Sequence, residues 1–78
     1  MTLADLRKGD RARITAIAAA EASVQRLMIM GLVEGAELDC VGASLGGDPV
    51  EYRLFGGAVS LRRSDGRHFE IEKLSTDG

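Results

Sequence analysis

Short runs of alternating apolar and polar residues, cut every few positions by glycine turns, constrain this chain more than any other feature. A period of two sends successive side chains to opposite faces, as in a half-buried strand. Residues 11–18 alternate this way, with Ala12, Ile14 and Ala16 on one side and Arg11, Arg13 and Thr15 on the other. In residues 37–43, Leu38 and Cys40 oppose Glu37, Asp39 and Val41. In residues 50–55, Val50, Tyr52 and Leu54 oppose Glu51, Arg53 and Phe55. Residues 58–63 place Val59 and Leu61 inward, and residues 67–72 place Phe69 and Ile71 inward with His68, Glu70 and Glu72 outward. Gly35, Gly46-Gly47, Gly56-Gly57 and Ser64-Asp65-Gly66 punctuate these runs as turns, and Pro49 suits the first residue of a strand. Five short strands at this spacing predict a mainly β fold, a small antiparallel barrel.

One segment follows a different period. In residues 21–30, Val24, Leu27 and Met28 stand at i, i+3 and i+4, which predicts a helix between the first and second strands. Glu21 in its first turn suits the helix dipole. Gly31 is placed to end it at C′, with Leu32 as the hydrophobic contact that accompanies such a cap. Upstream, residues 3–10 read as a short entry turn, with Leu3 and Leu6 on one face, Thr2 as cap and Gly9-Asp10 as stop.

Seventy-eight residues fit a single domain, expected over 1–74 with a frayed tail at 75–78. Cys40 is the one cysteine, so no intramolecular disulfide forms and the reducing cytosol is the expected compartment. The N-terminus lacks the basic start and apolar run of a signal peptide. The longest apolar stretch, 27–33, is interrupted by Gly31 and falls short of the roughly 20 residues a membrane span needs. Direct membrane insertion is therefore not expected, and any membrane link comes through a partner. Ten basic and twelve acidic residues give a net charge of −2, which argues against nucleic acid as a partner. Phe55, Phe69 and Tyr52 are too few for base-stacking platforms.

No catalytic constellation stands out. Cys40 reads as a small buried hydrophobe. His68 reads as a solvated strand residue; shared facing with Glu70 and Glu72 makes these three the candidate site for Fe(II) or another divalent transition metal. No other cofactor is implied. Gly46-Gly47-Asp48 is a mobile hairpin loop rather than a P-loop, since no Lys-Ser/Thr follows. Leu27, Met28, Ile29 and Met30 cover nearly the whole helix circumference, so part of this surface stays open to a partner. The expected contact surface is Arg26, Met28, Met30 and Leu32, with the Arg62-Arg63 pair as a second basic feature. The same apolar face would equally support a homo-oligomer.

The run Gln25-Arg26-Leu27-Met28-Ile29-Met30-Gly31-Leu32-Val33-Glu34-Gly35-Ala36-Glu37-Leu38 resembles the hallmark of the ferrous iron transport protein A (FeoA) family. There a basic, Leu-rich helix ends in a Gly-Leu turn and passes through a Pro/Glu-Gly pair into a strand. Leu3-Ala4-Asp5-Leu6 with Gly9-Asp10, Gly47-Asp48-Pro49-Val50-Glu51-Tyr52, Val59-Ser60-Leu61-Arg62-Arg63 and Phe69-Glu70-Ile71 agree in order, over nearly the whole chain. Val33-Glu34 departs from the Thr-Pro or Arg-Pro step of many members. The resemblance implies an SH3-like barrel, a cytoplasmic accessory of bacterial Fe(II) uptake, and a FeoB-type permease as partner. Such a protein would sit at the inner membrane through that permease. It also implies a transition-metal-binding label and a suggested effect on the permease's GTPase, for which Arg62 or Arg63 would be the arginine supplied in trans. The same module occurs at the C-terminus of iron-dependent repressors. Met1 opens the module directly with no helix-turn-helix before it, so a standalone protein is expected. A direct metal sensor or chaperone is the alternative role.

Overall fold

The alternating runs assemble into one five-stranded antiparallel sheet, seen in a computed structural model that describes residues 1–18 and 21–74. The expected tail at 75–78 lies outside the described residues. The strands are β1 (Arg11–Ile17), β2 (Glu37–Ala43), β3 (Val50–Leu54), β4 (Gly57–Leu61) and β5 (Phe69–Leu74), in the order β4-β3-β2-β1-β5. Helix α1 (Ala22–Ile29) lies between β1 and β2, as its period predicts. A second, four-residue helix, α2 (Arg63–Gly66), replaces the simple turn expected at Ser64-Asp65-Gly66. The expected fourth strand accordingly stops at Leu61, before the arginine pair.

Every strand sends its inward residues to one core, so the sheet has one shared inner face. Ile14, Leu38, Tyr52, Leu61 and Phe69 are each at most 2% exposed and belong to that single cluster. No buried side-chain polar atom among the described residues lacks a partner. Tyr52, the largest polar side chain inside, donates its hydroxyl to the Leu3 carbonyl at 2.8 Å, which ties the N-terminal turn to the sheet. Desolvation pushes the Tyr52 phenol up to about 12, because the neutral form suits this interior.

Strict alternation fails at two bulges. The β1–β5 register shifts between Ile14 and Ala16, so Ala16 faces solvent and Ile17 packs against the core instead. The β2–β3 register shifts between Cys40 and Gly42. An extra residue in one strand turns the following side chains to the other face. The hairpin tip also moves by one position. Leu54 pairs with Gly57, so the turn's central residues are Phe55 and Gly56, with φ of 49° and 77°. Two positive φ values mark a type I′ turn, whose twist matches paired strands.

The end of α1 follows the sequence closely. Gly31 takes φ 112°, its N–H donates to the Met28 carbonyl at 3.0 Å, and the Leu32 N–H donates to the Leu27 carbonyl at 3.1 Å. This is a complete Schellman cap. It turns Leu32 beneath the helix, where it is 0% exposed.

Candidate docking groove

Helix α1 packs against the core along one face only. Val24 is fully buried, and Leu27 and Met28 are partly buried against the core. Ile29 and Met30 are 86% and 61% exposed. Between this face and β4 lies an open groove of about 470 Å³. Leu27, Met30 and Leu61 supply its apolar lining, while Arg26, Arg62 and Ser60 line it with polar groups. Among the described residues, neither Arg26 nor Arg62 makes an ion pair, whereas Arg11 and Arg13 are both engaged with acidic partners. The groove's acidic residue, Asp65, accepts from the Ser23 hydroxyl at 3.5 Å.

The structure brings together three of the residues expected to contact a partner: Arg26, Met30 and Arg62. It does not bring Leu32 there. That residue is a core side chain, because the glycine cap folds it under the helix. Met28 is half-buried against the core on the helix's inner flank. Arg63 is also separated from its neighbour. Its Nε donates to the Gly47 carbonyl at 2.7 Å and its Nη1 to the Ala4 carbonyl at 2.7 Å. Its backbone N–H donates to Asp48 Oδ1 at 3.0 Å. Arg63 is thus a clamp joining the 45–48 loop to the N-terminal turn, not an arginine free to reach another protein. Sequence reading could not find this, since both carbonyls belong to segments remote along the chain.

The expected metal trio is not assembled. His68 sits in the turn after α2 rather than on β5, and its Nε2 lies 3.9 Å from Glu21 Oε2. Glu72 lies 3.5 Å from Arg13 on the neighbouring strand. Among the described residues, no three His, Cys, Asp or Glu side chains come together as a metal-holding group. Cys40 is a free, buried thiol at 3% exposure, as expected of a small core residue. Desolvation pushes its thiol up, away from the thiolate form that nucleophiles and soft-metal ligands use.

Comparison with known proteins agrees with this architecture. A family model described as the FeoA domain matches residues 1–73. The chain is 35% identical over 77 residues to a Fe(2+) transport protein A/Fe(2+) transporter FeoB fusion protein of Porphyromonas gingivalis, covering 99% of this chain and 9% of that protein. It thus spans less than a tenth of the length of that curated relative. Among solved structures it is similar to a FeoA protein from Chlorobium tepidum, with TM-score 0.88, 37% identity and coverage of 100% of this chain and 74% of that one. It is also similar to a Stenotrophomonas maltophilia FeoA complexed with zinc and described as a procaryotic SH3 domain protein, with TM-score 0.80, 25% identity and coverage of 92% and 89%.

Proposed function

The chain belongs to the FeoA domain family of ferrous iron transport, and from that premise we propose that it is a non-enzymatic accessory that works by binding a FeoB-type permease. One observation carries this reading. In the P. gingivalis relative, the sequence this chain matches is joined to the FeoB transporter in a single polypeptide. Covalent joining raises the effective concentration of two modules that work on each other. A separate chain must instead recognise its partner through a surface, and the groove between α1 and β4 offers apolar anchors beside polar rim groups.

On this reading residues 1–74 act as one binding module at the cytoplasmic face of the permease. Among the described residues no helix is long and apolar enough to cross a membrane. Titration of the chain against the permease's cytosolic G-protein domain and against the full permease in detergent tests the proposal. Saturable binding to either is expected, and binding to neither overturns it. A GTPase assay with and without the chain then separates modulation from scaffolding. If an arginine acts in trans, Arg62 carries the effect and Arg62→Ala removes it, because Arg63 is held by two carbonyl oxygens.

A further inference from the structure

We propose that the outer edge of β4, where it faces α1, is a docking strand for an extended partner segment that carries acidic side chains between apolar ones. This rests on the adaptor reading and names its surface and the partner's chemistry.

The two edges of the sheet are treated differently. The β5 edge is occupied in part by the chain's own N-terminus, through the Thr2–Glu70 bridge and the bond from the Ile71 N–H to the Met1 carbonyl at 2.9 Å. The β4 edge has no such cover. Backbone hydrogen bonds outside the sheet ladder involve none of Gly57–Leu61 among the described residues. Counting from the two-residue turn, the ladder bonds fall at Leu54–Gly57, Tyr52–Val59 and Val50–Leu61. The N–H and C=O groups of Ala58 and Ser60 therefore face outward. Edges are normally blunted by lysine, proline or a bulge. Gly57–Leu61 contains neither residue, and its register with β3 is unbroken.

The chemistry beside this edge selects the occupant. Alternate side chains of an added strand point into the groove, where the part-buried Leu27 and the exposed Met30 receive apolar groups over a floor that includes the buried Leu61. Arg62 continues the exposed Ala58–Ser60 face of β4, opposite Leu61, and Arg26 is exposed beside the groove. Neither has an acidic partner among the described residues, while the groove's own Asp65 accepts from Ser23, so the side chains between the apolar ones meet groups that suit carboxylates. A second copy of this chain fits poorly, because a two-fold contact presents the same arginines from both sides.

The test uses the full chain and an acetylated, amidated hexapeptide of alternating valine and glutamate. NMR titration should shift the Ala58 and Ser60 amides and slow their hydrogen exchange. The matching valine–lysine peptide should bind at least about tenfold more weakly, and Arg26→Glu with Arg62→Glu should weaken the acidic peptide about tenfold. Ser60→Pro removes an outward N–H while sparing the β3 ladder and should abolish binding; an unchanged spectrum elsewhere verifies its fold. Unchanged binding in the arginine double variant, shifts centred on Ile29 and Val33 without Ser60, or pairing of β4 with β4 overturns the proposal. The permease titration separates the two ideas. If both variants bind the permease like the parent, the edge proposal fails and the adaptor reading stands. If the parent chain binds neither permease form but takes the peptide as described, the adaptor reading fails alone.

Discussion

Replacing Tyr52 with phenylalanine removes one buried hydrogen bond and leaves the ring in place. The lost bond is the 2.8 Å contact from the hydroxyl to the Leu3 carbonyl, between residues that are 1% and 0% exposed. A buried carbonyl stripped of every partner would cost about 1–3 kcal/mol. Here the same carbonyl also accepts from the Leu6 N–H at 3.2 Å, so it keeps a partner. The expected cost is therefore that of one neutral bond, about 1 kcal/mol, or about 4–8 °C in Tm for a domain of this size. Urea unfolding of parent and variant measures it. A pH signature accompanies it. The folded phenol titrates at about 12 against an ordinary value of 10.0, because burial opposes the phenolate. Between these values the unfolded chain has lost the proton that the folded chain still holds. The Tyr52 contribution is thus fully present below pH 10 and is lost as pH rises toward 12. The variant lacks this dependence, so its deficit narrows across that window. Tyr52 is the only tyrosine and there is no tryptophan, so tyrosinate absorbance reports this group alone. A folded-state midpoint near 10, or a cost below about 0.3 kcal/mol at neutral pH, refutes the reasoning.

Arg63→Ala removes two charge-assisted bonds to carbonyls and should cost about 2–4 kcal/mol by chemical denaturation. Lysine should rescue little of it, since an ammonium cannot reproduce the guanidinium fork. Leu32→Ala deletes a side chain with 0% exposure and should cost about 2–4 kcal/mol, so lost partner binding in that variant would report unfolding, not a lost contact. Phe55→Asn relieves a positive φ of 49° on an 86% exposed aromatic and creates an Asn-Gly tip; a stabilisation of about 1 kcal/mol is expected in thermal melts. Cys40 should resist alkylation by iodoacetamide in native buffer and react at once in denaturant, because the thiol is enclosed and its pKa is raised.

The local features of this chain were legible residue by residue. Alternation located all five strands, the i, i+3, i+4 spacing located α1, and Gly31-Leu32 announced its cap, because each depends on backbone geometry within a few neighbours. What neighbours cannot specify came out differently. The bulges after Ile14 and Cys40 are properties of paired strands, so the single-strand pattern carried past them to the wrong face at Ala16. Arg62 and Arg63 look alike in sequence, yet one lines a groove and the other clamps carbonyls 16 and 59 positions away. His68 shares a turn with α2 and approaches Glu21, not the strand carboxylates expected beside it. The sequence by itself therefore determined where the five strands and α1 lie, which side chains build the core, and the family resemblance. Only the tertiary structure decided which side chains remain available to a partner, because availability depends on contacts between segments far apart in the chain.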